Sequence, residues 1–349
     1  NNILACYLTG ARFMELKTVQ KMDGAELRAC VAKPCIDMQD EGYNCEWSTE
    51  LTVEEALTEY VRAWFLCAFW GRELGLGEIG TVGFNMSVGY DLAGIQLPKI
   101  DGFIEGLKDA SGTPAWAECH GWLAEHLDEF EHFTAADLAA IPTRISNTVT
   151  LSTLHGCPAG EIEAIAHYLL TVKGLSTFVK CNPTMLGYEY TRSTMDALGF
   201  DYLSFDDHHF LADLQFSDAV PMLTRLKATA SELGLTFGVK LTNTFPVEVK
   251  AGELPSDEMY MSGRSLLPLS MSLALKLSKA FDGSLAISYS GGVDAFTIAD
   301  VLATGIQPVT VASTVLKPGG PQRFQQLADA ASEVMSDAGP IDLALLEST

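Results

Sequence analysis

The chain has 349 residues and a formal charge of −23 at pH 7, because 45 acidic residues outnumber 22 basic ones. Such a surface repels nucleic acid and anionic lipid, so we expect no nucleic-acid partner and no membrane insertion. Hydrophobic residues make up 48% of the chain, which is typical of a folded protein with a substantial core. The cysteines form no C-x-x-C pair, which argues against zinc and iron–sulfur sites, and their scattering is typical of a reducing cytoplasm.

Short runs rich in β-forming residues alternate with amphipathic helices, which predicts a parallel sheet with helical crossovers. The first long helix, over 53–74, begins with the capping box Thr52-Val53-Glu54-Glu55. Further helices are predicted near 160–173, 219–233 and 322–336. Seven strands are predicted, in chain order, at 12–18, 81–87, 147–153, 177–182, 236–243, 285–290 and 308–313.

A closed (β/α)8 barrel needs one strand more than these. Residues 1–7 are typical of the end of a helix that leads into a strand, so we expect the first strand upstream of Asn1. Runs at 31–36 and 202–205 are alternative sources of a strand. The segment 91–142 has no strand signal and predicts a helical insertion between strands three and four. The predicted fold is therefore α/β, a single TIM-barrel domain over 1–349 that is a fragment of a larger protein.

Polar side chains are concentrated where the predicted strands end. In barrels of this type, active-site groups come from the carboxyl ends of the strands. Three lysines at three strand ends of an acidic protein favour a site for an anion, although long side chains can also reach the solvent at the rim. The polar strand-end residues are Glu15, Lys17, Thr18, Asn85, Ser87, Ser152, Thr153, Lys180, Asn182, Lys240, Thr242, Asn243 and Thr244.

The last two predicted strands end in residues that suit a phosphate. Ser290-Gly291-Gly292 follows one of them, and Ala312-Ser313-Thr314 follows the other. Glycines and small residues leave backbone N–H groups accessible, and a helix that begins there adds a partial positive charge. The pairing of these two segments at successive strand ends predicts a phosphate site.

Several stretches resemble a known family of flavin enzymes. The chain, from Asn1 to about Phe324, is similar to the FMN-binding barrel of the dihydropyrimidine and dihydroorotate dehydrogenases. It resembles still more closely the N-terminal barrel of the bacterial family labelled as the selenate reductase flavoprotein subunit. The resemblance is carried by ARFMELKTVQ, KPCID, VGFNMSVGY, VTLSTLHGCP, TFVKCNPTMLGY, FGVKLTNT, EMYMSGR and SYSGGVD.

The resemblance implies that this domain binds FMN and transfers hydride between the flavin and an electron-poor heterocycle or a related small acceptor. It also implies that iron–sulfur clusters and FAD belong to other parts of the parent protein, which act as the electron-donating partner. On the flavin side it points to Lys17, Thr18, Lys180, Gly263, Gly291, Gly292, Ser313 and Thr314, and the strand-end pattern adds Ser290 and Ala312. On the substrate side it points to Asn44, Asn243 and Thr244, and the polar strand ends add Asn85 and Ser152.

The catalytic acid departs from the family pattern. The dehydrogenases have Asn-Leu-Ser-Cys-Pro after the fourth strand, where this chain has Ser-Thr-Leu-His-Gly-Cys-Pro. We predict Cys157 as the acid, because it keeps the Cys-Pro context. His155 is the alternative, since it matches without a gap and an ordinary histidine pKa suits acid catalysis near neutral pH. Gly89-Tyr90-Asp91 replaces the family's Ser-Tyr-Asn, which weakens the case for a pyrimidine substrate.

Two other functions are consistent with the sequence. Lys180 or Lys240 at a strand end could form a Schiff base, as in a class I aldolase-type lyase. Alternatively, the barrel is a non-catalytic scaffold of an electron-transfer complex.

The pair His208-His209 follows Asp206-Asp207 and is a possible metal site. The sequence offers no third ligand at a suitable spacing, so a polar loop without metal is predicted there.

Overall fold

The predicted alternation of strands and helices is present as a curled sheet with helices packed against it. The computed structural model describes residues 1–24, 36–37, 41–44, 49, 51–153, 155–242, 244–254, 256–334 and 340–348. The strands are β1 (Phe13–Glu15), β2 (Ile36–Asp37), β3 (Glu41–Asn44), β4 (Gly83–Tyr90), β5 (Thr148–Thr153), β6 (Ser176–Cys181), β7 (Phe237–Leu241), β8 (Phe245–Glu248), β9 (Glu258–Gly263) and β10 (Ala286–Tyr289). The α-helices are α1 (Asn2–Leu8), α2 (Val53–Glu73), α3 (Leu92–Ile95), α4 (Pro98–Lys108), α5 (Pro114–Glu125), α6 (Ala135–Ala140), α7 (Ala159–Thr171), α8 (Tyr188–Ala197), α9 (His208–Ala212), α10 (Phe216–Glu232), α11 (Leu267–Ala280), α12 (Ile298–Ala303), α13 (Ser313–Leu316), α14 (Arg323–Ser332) and α15 (Leu343–Ser348).

Six strands form the main sheet in the order β1-β4-β5-β6-β7-β10, and every neighbouring pair is parallel. Chain order is preserved across the sheet, as in a barrel built from successive strand–helix units. A parallel bridge between Tyr289 and Val309 continues the sheet beyond β10. The strand predicted over 308–313 is reduced to this bridge, and α13 begins at Ser313.

Among the described residues the main sheet is open, with β1 and the bridge beside β10 as its two edges. This agrees with a TIM barrel that draws one strand from elsewhere, and an upstream first strand stays a prediction. The alternative source at 202–205 is wrong, because that stretch is not a strand and its Ser204 hydroxyl instead donates to Glu248 over 2.6 Å. The other alternative source of a strand is the run 31–36. Residues 31–35 lie outside the described residues, and Ile36–Asp37 forms β2, which pairs with β3.

The core explains why the central strands could be recognised from the sequence. Strands of a parallel sheet are covered on both faces, so they appear as nearly continuous apolar runs. The central strands carry fully buried apolar side chains: Met86, Val88, Val149, Leu151, Val179 and Val239. In the described part of the chain, no helix combines the length and the apolar character that a membrane span requires.

The predicted helical insertion is confirmed. Between β4 and β5 the chain forms α3, α4, α5 and α6. Of these, α4 and α5 pack on α2, for example through the Phe65 and Trp116 rings, whose centroids are 4.6 Å apart. The capping box at the start of α2 is also present. Thr52 Oγ1 accepts from the Glu55 N–H, and the Glu55 carboxylate accepts from the Thr52 N–H over 2.8 Å.

A second, antiparallel sheet was not predicted from the sequence. Its order is β2-β3-β9-β8, and we call these four strands the cap sheet. Tyr43 and Phe245 both lie opposite Met261 of the central strand β9, and the three side chains belong to a second apolar core. The Ser262 and Ser313 hydroxyls are hydrogen-bonded over 2.6 Å, so the cap sheet meets the segment that follows the last strand of the main sheet.

Candidate active site

The carboxyl ends of the main sheet bring several predicted residues together. Lys180 of β6 lies opposite Lys240 of β7, which in turn lies opposite Ser288 of β10. Side chains at matching register positions of neighbouring strands point to the same face of a sheet. The two lysines therefore share one face, and the predicted phosphate segment begins two residues beyond Ser288.

Lys240 is neutralised by Glu15, a strand-end carboxylate that was not among the predicted site residues. Its Nζ lies 2.7 Å from Oε1 of Glu15, and the side chains are 3% and 13% exposed, respectively. Asn85 donates from Nδ2 to the other oxygen of Glu15 over 2.6 Å and accepts at Oδ1 from the Thr148 hydroxyl. Both ends of the Asn85 amide thus take part in a buried polar layer, and its predicted contact with substrate stays a prediction.

Lys180 has a different electrostatic environment from Lys240. Burial, together with the positive charge of Lys240, lowers the pKa of Lys180 to about 8, although the charge of Asp213 opposes the shift. A buried cation with a depressed pKa is stabilised by a nearby anion, and its uncharged form is a nucleophile. This lysine can therefore either bind an anionic ligand in its charged form or act as a nucleophile in its uncharged form.

A cleft, which we call the strand-end cleft, opens beside Lys180 at the ends of β5 and β6. It is lined by Thr153, Cys157, Lys180, Asn182 and Asp213, among others. The predicted acid Cys157 and the predicted cofactor residue Lys180 thus line the same cleft. Polar and titratable groups that converge on one concave site are typical of an active site.

The segment after β5 is held by Asp213, whose carboxylate is buried and which no local sequence signal indicated. Its Oδ2 lies 2.7 Å from His155 Nδ1 and accepts from the Thr184 hydroxyl over 2.8 Å, while Oδ1 accepts from the Gly156 N–H over 2.8 Å. Burial by itself would raise the pKa of Asp213. The hydrogen bond and positive charge of His155, together with the hydrogen bonds from Gly156 and Thr184, outweigh burial, so the pKa of Asp213 is lowered. Since a carboxylate only accepts, His155 donates from Nδ1, which fixes the orientation of its ring.

Cys157 lies in the same segment, half-buried. Burial and the negative charge of Glu161 raise the pKa of its thiol to about 11, against an opposing hydrogen bond with Thr153. The thiol is therefore protonated near neutral pH, as an acid must be, but it releases its proton reluctantly. The geometry keeps both Cys157 and His155 as candidates for the acid.

The predicted residues at the ends of β1 and β5 are placed as follows. Lys17 is exposed, whereas Thr18 is buried and its hydroxyl is hydrogen-bonded to that of Ser87 over 2.7 Å. Ser152 is buried opposite Gly89. A Cβ at Gly89 would lie 2.1 Å from the Ser152 carbonyl oxygen, so no side chain fits where the dehydrogenase family has serine.

The predicted phosphate residues converge with Gly263. Gly263 and Gly292 both have a positive φ, of 96° and 87°, and a Cβ at Gly292 would lie 2.3 Å from the Gly263 carbonyl oxygen. The hydrogen bond between Ser262 and Ser313 adds the start of α13 to this group. We call Gly263, Gly291, Gly292 and Ser313 the rim cluster. Arg264, beside Gly263, was not predicted as a site residue, and its charge is paired, since its Nε lies 3.1 Å from Asp294 Oδ2.

The remaining predicted substrate residues lie near the junction with the cap sheet. Asn44 is in β3 opposite Tyr260, and Thr244 is partly buried between β7 and β8. Asn243 lies outside the described residues.

Comparison with known proteins identifies the family of the chain and supports the barrel fold. The whole chain, residues 1–349, matches the family described as oxidoreductase YgfK, N-terminal TIM-barrel domain. It is 49% identical over 331 residues to the YgfK proteins of Escherichia coli strains K12 and O157:H7, which covers 91% of this chain and 32% of each relative. The chain thus spans about a third of the length of these relatives. A crystal structure of DHODH from Eimeria tenella in complex with ferulenol has a similar fold, with a TM-score of 0.50 at 14% identity over 99% of this chain and 82% of that one.

Proposed function

Because this chain belongs to the family of the N-terminal TIM-barrel domain of the oxidoreductase YgfK, we propose that it is the FMN-binding module of a flavin-dependent oxidoreductase. The substrate in this proposal is an electron-poor heterocycle or a related small acceptor. When bound, FMN supplies hydride transfer at its N5 position. The matched relatives extend well beyond this region, which supports further segments, with iron–sulfur clusters and FAD, as the electron donor.

The observation that carries the proposal is the convergence of the rim cluster at the end of the sheet where Lys180 lies. A phosphate needs backbone N–H donors that it can approach without a side chain in the way. Gly291 and Gly292 carry no side chain, which supports a phosphate site, and Ser313 begins α13 beside them. The guanidinium of Arg264 is paired with Asp294, so its charge adds little to the site. The residues present therefore fit the phosphate of FMN.

Lys180 and Lys17 are assigned to the flavin ring. With its pKa lowered to about 8, the partly buried ammonium of Lys180 is stabilised by negative charge, which the N1–C2 edge of a reduced flavin would offer. Lys17 is exposed at the end of β1 and supplies a second positive charge.

We assign proton donation to Cys157, with His155 as the competing candidate. The raised pKa keeps the Cys157 thiol protonated at neutral pH, and the residue lines the same cleft as Lys180. His155 is oriented by Asp213 and so presents Nε2 as its second nitrogen. The chain's role in this proposal is to orient the substrate, exclude water and hold this proton.

The test uses the full-length protein. We expect a flavin absorption spectrum and FMN in the acid extract at about one equivalent per chain. Ser313→Asp adds a negative charge to the rim cluster and should weaken FMN binding about tenfold or more. Ser111→Asp, in the exposed helical insertion, is the matched control. A colourless protein that takes up no added FMN, or full FMN occupancy in Ser313→Asp, overturns the proposal.

The lowered pKa of Lys180 favours a second candidate, the aldolase-type lyase, because a Schiff base requires an uncharged amine. Borohydride reduction in the presence of pyruvate should then attach the substrate carbons to Lys180. Lys180→Met should lose this label, whereas Lys227→Met, on the surface of α10, should keep it. Labelling without bound flavin favours the lyase, and flavin without labelling favours the oxidoreductase.

A further inference from the structure

The start of α9 and the start of β9 bring two imidazoles and a carboxylate together outside the strand-end cleft. Nε2 of His208 lies 3.2 Å and Nε2 of His209 lies 2.8 Å from Oε1 of Glu258. One ligand atom from each residue lies within 4.8 Å of the others. The sequence offered no third ligand for the histidine pair, and the fold supplies Glu258 from the cap sheet.

These separations are close to those of a tetrahedral metal centre. Zinc–nitrogen and zinc–oxygen bonds of about 2.0–2.1 Å place neighbouring ligand atoms about 3.3 Å apart. The contact of His208 with Glu258 already has nearly this length, and the contact of His209 needs to open by only about 0.5 Å. Side-chain rotation is sufficient for such a change.

A fourth residue orients His208. Asp206 is hydrogen-bonded to Nδ1 of His208, and because a carboxylate only accepts, Nδ1 is the donor. The other nitrogen, Nε2, then faces Glu258, as in metal sites where a carboxylate holds the ligating imidazole in the correct tautomer. This arrangement favours a positive species between Nε2 and Glu258.

The base of the site is rigid while its mouth is open. Phe210, next to His209, is buried in the second apolar core and packs on Tyr188 with ring centroids 5.5 Å apart. A cleft lined by His208, His209, Glu258 and Pro246, among others, opens over the site, and His208 is 53% exposed. A rigid ligand base with access to solvent suits an ion that keeps a water molecule as its fourth ligand.

A second group of possible ligands shares His209 and adds His155 and Asp213. It is the weaker choice, because Asp213 already accepts hydrogen bonds from His155, Gly156, Thr184 and Asn182. Its lone pairs are therefore committed to fixing the segment after β5, whereas Glu258 faces both histidines.

We propose that His208, His209 and Glu258 bind a zinc-class divalent metal ion, with Asp206 orienting His208 and water as the remaining ligand. The ion joins α9 to the cap sheet. It lies next to the strand-end cleft, because the His209 ring is 4.9 Å from the ring of His155. This site is independent of flavin, so it can be tested apart from the proposed function.

The test is a Co²⁺ titration of the chelator-treated protein, followed by displacement with Zn²⁺. We expect one equivalent of Co²⁺ with the intense visible bands of four-coordinate geometry, and a higher melting temperature when Zn²⁺ is added. Glu258→Gln should abolish the bands. Asp206→Asn, a surface change that leaves the ligands in place, should weaken binding about 10–100-fold.

The matched control is His167→Gln, which removes an exposed histidine of α7. This variant should bind Co²⁺ as the unaltered protein does. The proposal is overturned if no four-coordinate Co²⁺ spectrum forms or if Glu258→Gln binds normally. It is also overturned if binding is lost in Asp213→Asn and kept in Glu258→Gln, because the ion then belongs to the other group.

Discussion

Replacing Asp213 with asparagine should destabilise the protein and release the segment after β5. In the variant, the amide oxygen can still accept from the Gly156 N–H, but an NH₂ group takes the place of Oδ2. That NH₂ faces three donors, His155 Nδ1, the Thr184 hydroxyl and Asn182 Nδ2. His155 and Thr184 can reverse their roles and accept, so the main loss is of charge-assisted hydrogen bonds.

The magnitude follows from the number of bonds. A hydrogen bond to a charged group contributes about 1.5–3 kcal/mol and a neutral one about 0.5–1.5 kcal/mol, so each replacement costs about 1 kcal/mol. Relief of the burial penalty of the carboxylate offsets part of this. We therefore expect Asp213→Asn to lower the free energy of unfolding by about 2–4 kcal/mol at pH 7.

The pH dependence gives a second, independent check. Because the folded protein lowers the pKa of Asp213, its contribution is fully present above the ordinary carboxyl pKa of about 3.9. It is lost as the pH falls through the lower folded value. The difference between the unaltered protein and Asp213→Asn should therefore be constant near neutral pH and shrink below about pH 4.

Urea denaturation from pH 7 to pH 3 measures both effects. Asp201→Asn, in an exposed turn, is the control and should change stability by less than about 0.5 kcal/mol. If Asp213→Asn also stays within about 0.5 kcal/mol at pH 7, Asp213 does not hold the segment and the reasoning is wrong.

Four further predictions concern the strand ends. Glu15→Gln should lower the free energy of unfolding in urea by about 3–5 kcal/mol, because Lys240 is left buried and unpaired. Adding Lys240→Met should restore most of the lost stability, and an unchanged stability of Glu15→Gln alone contradicts the ion pair. Alkylation of Cys157 by iodoacetamide, followed by mass spectrometry, should be slow at pH 7 and rise towards its pKa of about 11, and rapid reaction at pH 7 contradicts that pKa. The rate of acetylation of Lys180 should rise with a midpoint near pH 8. In Lys240→Met the midpoint should move to higher pH, since the neighbouring positive charge is gone, and an unshifted pH profile contradicts the coupling of the two lysines. In the full-length protein, Cys157→Ala should slow substrate reduction by about 10²–10⁴-fold while flavin reduction is unchanged; that pattern in His155→Ala instead assigns the acid to the histidine.

The sequence alone determined the elements whose signals are local. Strands β4 to β7 were recognised because both faces of a parallel strand are buried, so Val149, Leu151 and their neighbours form short apolar runs. The capping box at Thr52 marked the start of α2, because both of its hydrogen bonds form within four residues. The order of the main sheet followed from the alternation of strands and helices.

The tertiary structure decided the features that depend on distant pairing. The cap sheet escaped prediction because its strands are short and pair across long stretches of chain, as Tyr43 does with Met261. Asp213 reaches His155 across 58 residues, and nothing in its local sequence distinguishes it from a surface carboxylate. The environment of a titratable group is set by whatever folds against it, and local patterns carry little of that information. The sequence therefore determined which residues stand at the strand ends, and the fold decided which charges those residues meet.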